Sequence, residues 1–268
     1  MRGRRRRSYR RRKDVLRSRQ RRVSSRLSEP RFFVEGRHAP GDSLTLSKED
    51  AHKIADVLRR RTGDGIVVVD SAAQEFRATL TVTQDRVEAR LDELVQAHNR
   101  ESSRAITLAQ MIPKGQKLDY VVEKATELGL YALIPVRSSR SVGEASANKL
   151  TRWRNLARSA AQQSGRSRVP DVESPIDYPA LVARIREFDA AIFAWELAEQ
   201  PLRTALASIG SARSILVIVG PEGGFSHEEA DVAIAAGARA VSLGSRILRT
   251  ETAPLVILTA ILYEGGEL

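Results

Sequence analysis

Two glycine-containing loops in the last third of the chain carry the residues best suited to bind a ligand. The first loop, residues 220–226, reads Gly-Pro-Glu-Gly-Gly-Phe-Ser and follows the apolar run of residues 215–219. The second loop, residues 244–254, follows the apolar run of residues 240–243. Short apolar runs predict buried strands, and ligands in open α/β sheets bind just beyond the carboxyl ends of strands. We therefore expect both loops to line one site.

The first loop is suited to contacts through its backbone. It lacks the Gly-Lys-Ser/Thr sequence of a phosphate-binding P-loop, and its glycines do not follow the GxGxxG spacing of dinucleotide-binding loops. Two adjacent glycines let backbone groups approach a ligand closely, which suits an adenosine-like molecule; an ordinary turn is the alternative. Ser226 and Glu229 have the spacing of a capping box. Ser226 and His227 are therefore assigned to the start of a helix and not to catalysis.

The second loop concentrates charge where a plain connector would need none. Arg246, Arg249 and Glu251 lie between a predicted strand and an apolar helix. An arginine at such a place can neutralise a phosphate or stabilise a developing anion. A nearby carboxylate can orient that arginine or accept a proton. The alternative is a surface ion pair between Arg249 and Glu251, worth about 0–1 kcal/mol.

The elements that must position these loops alternate between strands and helices from residue 104 to residue 268. Short apolar runs alternate with segments in which apolar residues recur every three or four positions. This alternation predicts an α/β domain, with a mostly parallel sheet covered by helices on both faces. The expected strands are 106–111, 133–136, 169–172, 190–195, 215–219 and 240–243, and the expected helices are 118–128, 150–165, 181–185, 202–207, 226–234 and 254–263.

The last of these helices, residues 254–263, is apolar nearly all round. A helix without a polar face must be buried on all sides. We expect it to pack against a second copy of the chain, which predicts a homodimer through the C-terminal domain. A position in the centre of the chain's own core is the alternative.

Residues 31–99 carry strand signals at short spacing and predict a small, mostly β, barrel-like domain. Ser47 and Asp50 open a helix that is expected to run to Gly63. A polar linker near residues 98–103 separates this domain from the α/β domain at residues 104–268. The expected strands are 31–34, 66–69, 76–83 and 87–91.

All of the excess positive charge lies in the first 26 residues. The chain has a formal net charge of +11, and residues 1–26 hold thirteen arginines and Lys13 against Asp14. Residues 1–30 have few apolar side chains and blocks of like charge, which predicts a disordered tail. Such a tail can be an RNA-binding arm that acts through counterion release, a targeting segment, or translated sequence from a misplaced start codon.

The absence of cysteine excludes disulfides and thiolate metal sites and predicts a cytoplasmic protein. The four histidines are scattered without the spacing of metal ligands, so we expect no metal. The longest apolar run, residues 254–263, is too short to span a membrane, and we expect no membrane partner.

Eight ordered motifs extend from residue 31 to the end of the chain. They occupy residues 31–34, His52 with 57–59, 114–119, 124–129, 138–142, 161–166, 220–226 and 243–254. In this combination the chain resembles the RsmE-type 16S rRNA (uracil-N3) methyltransferases of the SPOUT superfamily. Ser139 and Gln162 depart from the family pattern, since both stand where a glutamate is expected. Residues 1–30 lie outside the resemblance.

The resemblance implies an N-terminal PUA-like β-barrel that helps to bind rRNA and a C-terminal SPOUT α/β domain with a trefoil knot. It implies a homodimer, and S-adenosylmethionine as the cofactor held by the knot loops. By matching positions, the residues expected to line the cofactor pocket are Trp195, Glu196, Gly220, Glu222, Gly223, Gly224, Leu243, Gly244, Ile247 and Leu248.

The reaction implied is methylation of N3 of a specific uridine in 16S rRNA, the RNA of the small ribosomal subunit. Uracil N3 carries a proton, so the enzyme must orient the base and stabilise the anion formed when that proton leaves. Arg249 is the candidate for stabilising the anion, and Glu251 for orienting it or relaying the proton. A non-catalytic RNA-binding or ribosome-assembly protein is the alternative. Contacts to the RNA backbone are expected from Arg31, Arg59, Lys114 and Arg140.

Overall fold

The structure is a computed structural model that describes residues 29–95, 100–138 and 146–268. Contacts divide the chain into two units, Met1–Ala97 and His98–Leu268, and the described part of each unit has a hydrophobic core of its own. All but the last two residues of the predicted arginine-rich tail lie outside the described residues, as does Arg140.

The described part of the first unit is built on a sheet of five strands around one core. The strands are β1 (Arg31–Phe33), β2 (Ser43–Thr45), β3 (Gly65–Val69), β4 (Glu75–Val82) and β5 (Val87–Val95). They follow the order β1-β3-β4-β5-β2, in which β1 and β3 are parallel and the other pairs antiparallel. A register shift at Arg77/Ala78 bends the long β4–β5 pair. The core packs side chains from β1, β3, β4 and β5 against Leu46 and Ile54.

The helix of this unit is shorter than the sequence predicts. Ser47 begins helix α1 (Lys48–His52), and its hydroxyl accepts a hydrogen bond from the backbone N–H of Asp50 at 3.1 Å. A π-helical turn, Lys53–Val57, continues it. The helix does not reach Gly63, because Arg59 has a φ of 53° in the left-handed region that terminates helices.

The described part of the second unit contains one sheet, in which every hydrogen-bonded strand pair is parallel. Its strands are β6 (Ala105–Met111), β7 (Ala132–Arg137), β8 (Asp171–Val172), β9 (Ile176–Asp177), β10 (Ala190–Ala194), β11 (Ser214–Val219) and β12 (Arg239–Val241). They follow the order β12-β10-β11-β6-β7-β8, with β9 also paired to β7. The predicted parallel α/β sheet is therefore confirmed. The carboxyl ends of four adjacent strands, β12, β10, β11 and β6, meet at one edge.

Helices cover both faces of this sheet. They are α2 (Lys117–Glu127), α3 (Ala147–Ser164), α4 (Tyr178–Arg184), α5 (Leu202–Ile209), α6 (His227–Ala235) and α7 (Ala253–Glu264). One core packs α2, α3, α5 and α7 against the sheet, and the other packs α4 and α6 against the opposite face. Alternate residues of the central strands enter the two cores: Val217 belongs to the first and Ile218 to the second.

Helix ends follow from local sequence signals. Helix α3 ends at Gly165, whose φ of 76° gives the left-handed cap that a glycine adopts without a Cβ penalty. Helix α6 begins at Ser226 with both halves of a capping box: its hydroxyl accepts from Glu229 N, and the Glu229 carboxylate accepts from Ser226 N. The predicted capping box is thus confirmed, and it fixes how the first glycine loop enters α6.

The final helix, α7, is only partly buried within the described chain. Ile257, Leu258 and Ile261 are fully buried in the first core. Val256 and Tyr263 on the other side are 38% and 72% exposed. Packing against the sheet, α2 and α5 covers only one face, which contradicts the alternative of a helix at the centre of the chain's own core. The predicted packing against a second copy stays a prediction.

Candidate functional site

A cavity of about 730 Å³ lies at the carboxyl ends of β10, β11 and β12. This volume is within the range of small-molecule sites, about 300–1,000 Å³. The loops after these three strands supply nearly all of its lining residues, and Lys117 at the start of α2 completes it. All ten residues that the resemblance assigns to the cofactor pocket line this cavity, together with Arg249. Glu251 is not among the lining residues.

Glycine is required at two positions of the first loop. A Cβ on Gly220 would lie 2.9 Å from the Phe225 ring, and that ring packs on Phe193 with centroids 4.5 Å apart. Gly224 has a φ of 63°, and a Cβ there would overlap the Glu196 carboxylate. The loop backbone therefore comes closer to its surroundings than any side chain allows, as a backbone cradle needs.

Glu222 anchors the first loop to the start of α2. Its Oε1 accepts a hydrogen bond from Lys117 Nζ at 2.6 Å and from the Lys114 backbone N–H at 3.2 Å. Burial acts to raise the pKa of the Glu222 carboxyl, but the hydrogen bonds from Lys117 and from backbone N–H groups outweigh it and lower the pKa below its usual value. Glu222 is therefore ionised at neutral pH and holds the loop in place.

Trp195 presents a buried donor at the cavity. Its Nε1 has no hydrogen-bond partner among the described residues, although buried indole N–H groups usually have one. The ring packs edge-on against His227 at 5.5 Å and lies 6.5 Å from Phe193. His227 thus supports the wall of the cavity. Trp195 is among the residues that line the cavity, whereas its Nε1 is buried within the wall.

Arg249 and Glu251 differ sharply in exposure. The Arg249 side chain is 83% exposed at the mouth of the cavity, whereas that of Glu251 is 16% exposed. Arg249 Nη1 and Glu251 Oε1 are 3.8 Å apart, which is too far for a hydrogen bond. Glu251 Oε2 is buried and has no hydrogen-bond partner within the described residues. The arginine is therefore free to meet a substrate, and the carboxylate beneath it retains an unused acceptor.

Two residues that the sequence predictions missed also hold the site together. Lys117 binds Glu222, and Gln110 at the end of β6 donates to Thr250 in the second loop. A polar side chain inside an otherwise apolar strand is a signal that could have identified Gln110. A lysine in the first turn of a helix, where the dipole disfavours positive charge, is a weaker signal for Lys117.

The residues predicted to contact RNA lie in different surroundings. Arg31 is buried, and its guanidinium forms a two-pronged pair with the Glu75 carboxylate at 2.7 and 3.0 Å. This pairing occupies the groups that a phosphate would need, so the geometry disfavours Arg31 as an RNA contact. Arg59 and Lys114 are exposed. Arg140 lies outside the described residues.

Two properties bear on the kind of ligand that the protein takes. In residues 29–95, 100–138 and 146–268, no three acidic or histidine side chains gather closely enough to hold a metal ion. None of the helices in these ranges combines the length and hydropathy needed to cross a membrane.

The parallel sheet and its glycine-lined cavity belong to a known class of enzyme domain. The family model for the RNA methyltransferase domain matches residues 100–262, which contain the whole of this sheet. The class defined by the fold and the site is therefore that of RNA methyltransferases.

Comparison with individual proteins gives the particular family. The chain is 34% identical to ribosomal RNA small subunit methyltransferase E of Bacillus subtilis, over 87% of this chain and 96% of that protein. It is 35% identical to the protein of that name from Synechocystis, over 82% of this chain and 72% of that protein. The chain belongs to the ribosomal RNA small subunit methyltransferase E family, and the resemblance drawn from its motifs is confirmed.

Solved structures of relatives agree with this assignment. The chain aligns with ribosomal RNA small subunit methyltransferase E from Neisseria gonorrhoeae, bound to S-adenosyl methionine, with a TM-score of 0.80 and 35% identity. The alignment covers 88% of this chain and 97% of that one. A putative methyltransferase from Legionella pneumophila in complex with the same cofactor aligns with a TM-score of 0.81 and 29% identity, over 88% and 97% of the two chains.

Proposed function

We propose that this protein methylates N3 of a specific uridine in 16S rRNA with S-adenosylmethionine as the methyl donor. The observation that carries the proposal is the convergence of two predicted loops on one cavity, with Arg249 at its mouth and Gly220–Gly224 in its wall. The bound cofactor of the Neisseria gonorrhoeae relative supports the choice of methyl donor.

The residues of the cavity fit S-adenosylmethionine. The adenosine part needs hydrogen-bond partners on the ring edges, and the loop backbone at Gly220–Gly224 supplies them. Leu243 and Leu248 give apolar walls, and the carboxylate of Glu196 favours the positive sulfonium. When bound, S-adenosylmethionine supplies an electrophilic methyl group. The size and polarity of the site therefore suit this cofactor.

The chain's own residues have two tasks in the reaction. The uracil N3–H must lose its proton before N3 can form a bond to carbon, and the resulting anion needs a positive partner. Arg249 has an exposed guanidinium at the mouth of the cavity and meets that negative charge. Glu251 lies outside the cavity lining, next to Arg249, and orients the arginine or relays the proton. The base must leave its stack to reach this position.

The finer features of the fold belong to the same proposal. The five-stranded sheet belongs to the PUA-like barrel, residues 31–99. Arg59, exposed just after the π-helical turn, contacts the RNA backbone. The α/β domain, residues 104–268, is a SPOUT domain whose two glycine loops belong to a trefoil knot. Lys114 and Arg140 are further backbone contacts. The arginine-rich tail acts as an RNA arm if its removal flattens the salt dependence of RNA binding.

We place the dimer interface on the exposed face of α7. Val256, Thr259 and Tyr263 recur at helical spacing on that face, and all three are exposed in the single chain. An exposed face of this composition at the surface of a core helix is typical of a subunit interface. Such a homodimer, acting on rRNA in the cytoplasm, is consistent with the family resemblance.

Methylation mapping in a deletion strain tests the function directly. 16S rRNA from a strain that lacks this gene should lose one N3-methyluridine, and a plasmid copy should restore it. A copy with Arg249→Ala should not restore it, although the protein accumulates normally. If the deletion leaves every N3-methyluridine in place and the purified protein does not bind S-adenosylmethionine, the non-catalytic RNA-binding alternative holds.

A further inference from the structure

A buried hydrogen-bond cluster joins the two loops of the site. Gln110, the second-last residue of strand β6, is fully buried, and its Nε2 donates to Thr250 Oγ1 at 3.0 Å. Thr250 Oγ1 in turn donates to the Gly220 carbonyl at 2.6 Å. Gly220 opens the first loop, and Thr250 lies between Arg249 and Glu251 in the second. One hydroxyl group therefore connects the cofactor cradle to the proposed catalytic residues.

The orientation of the Gln110 amide shows that its donor is what the site requires. Nε2 lies 3.3–3.5 Å from the carbonyl oxygens of Met111, Val219 and Gly220 in addition to Thr250. Rotating the amide by half a turn would place its oxygen against these four oxygens. In the observed orientation Oε1 has no hydrogen-bond partner within the described residues. A buried acceptor without a partner is unfavourable. The amide keeps this orientation because it places the NH₂ group, and not the oxygen, next to these four oxygens.

We propose that Gln110 and Thr250 are positioning residues that hold the second loop at a fixed distance from the first. The inference rests on the proposed function, in which the first loop binds the methyl donor and Arg249 stabilises the substrate anion. Without the Thr250 hydroxyl, each loop retains its own contacts with the cofactor. The distance between the methyl donor and Arg249 is then no longer fixed. A displacement of about 1 Å can lower a rate about 100-fold.

The decisive comparison is between Thr250→Val and Thr250→Ser. Valine retains the branched shape and removes the hydroxyl, whereas serine retains the hydroxyl that bonds both Gly220 and Gln110. We expect Thr250→Val to lower the single-turnover rate of methyl transfer to 16S rRNA about 30-fold, from the sensitivity of rate to misplacement. The dissociation constant for S-adenosylmethionine, measured by calorimetry, should change by less than about 3-fold, because the cradle contacts remain. Thr250→Ser should retain most of the wild-type rate.

A second variant tests whether the two residues act together. Gln110→Met removes the donor from the same buried position with a side chain of similar length. Alone it should slow methyl transfer, because the Thr250 hydroxyl loses one of its two partners. In the Thr250→Val background it should add little, because residues of one hydrogen-bond network are not additive. Independent, additive effects would overturn the proposal.

The outcomes separate this inference from the proposed function. If the wild-type protein transfers no methyl group to 16S rRNA, the proposed function fails and the inference fails with it. Suppose that the wild type is active. If Thr250→Val lowers the methyl-transfer rate and the cofactor affinity by the same factor, or changes neither of them, only the positioning role is refuted. Thermal unfolding shows whether each variant is folded. If Thr250→Val does not fold, Gln110→Met tests the positioning role in its place. The role then requires that this variant lowers the methyl-transfer rate more than the affinity for S-adenosylmethionine.

Discussion

Replacing Arg249 by alanine should remove catalysis and leave folding intact. The side chain is 83% exposed, and its ion pair with Glu251 spans 3.8 Å. Such an exposed pair contributes about 0–1 kcal/mol to stability. In contrast, removing one group that stabilises the charge of a transition state costs about 2.7–4 kcal/mol, or about 100- to 1,000-fold in rate. The two effects differ enough in size to be separated.

The assay is methyl transfer from labelled S-adenosylmethionine to 16S rRNA under single-turnover conditions, with unfolding measured on the same samples. We expect Arg249→Ala to lower the rate by about 100-fold or more while the unfolding midpoint shifts by less than about 4 °C. Arg203→Ala is the matched control, since Arg203 is an exposed arginine on α5 that does not line the cavity. An Arg249→Ala enzyme with wild-type turnover would refute the role given to this arginine.

Three further results are expected. Gly224→Ala should weaken cofactor binding at least about 10-fold in calorimetry, because an L side chain is strained at a φ of 63°; unchanged affinity would exclude the cradle. The fold lowers the pKa of Glu222, so the ionised carboxylate stabilises the folded state at pH values above its pKa in the unfolded chain. This stabilisation disappears as the pH falls through the pKa of the folded state. The usual Glu pKa of about 4.3 sets the range to be measured, from pH 6 to pH 3. Over this range the melting temperature of Glu222→Gln should fall less than that of the wild type, and parallel curves would contradict this. Arg31→Ala should destabilise the first unit by about 3–5 kcal/mol in urea because it removes the positive partner from a buried ion pair, and a smaller loss with weaker RNA binding would instead favour an RNA contact.

The α/β sheet and its loops could be read from the sequence because their signals are local. Strands β7, β10 and β11 are mostly apolar, and β6 is apolar except for Thr107 and Gln110, as both faces of a parallel sheet require. The Ser226 capping box and the Gly165 cap each depend on residues within one helical turn. Strands β2 and β9, with three and two residues, are too short to show any periodicity and were not predicted.

The end of the first helix and the partner of Arg31 are two features that local sequence signals do not predict. Residues 59–62 contain no glycine or proline that would predict a stop before Gly63, yet the helix ends at Leu58, because the backbone turns at Arg59. Arg31 has the chemistry of a phosphate ligand, but its partner Glu75 is 44 positions away in the sequence. An arginine binds a carboxylate or a phosphate through the same planar fork. Its residue type alone cannot distinguish the two.

The sequence by itself determined the class of domain, the two glycine loops and the charged residues beside them, because periodicity and turn chemistry act over a few neighbouring positions. Only the tertiary structure decided how these parts meet. The bond from Gln110 to Thr250 joins residues 140 positions apart, and that from Lys117 to Glu222 joins residues 105 apart. Such pairs form because parallel strands bring distant carboxyl ends to one edge of a sheet. The exposure that separates Arg249 from Glu251 arises from the same packing.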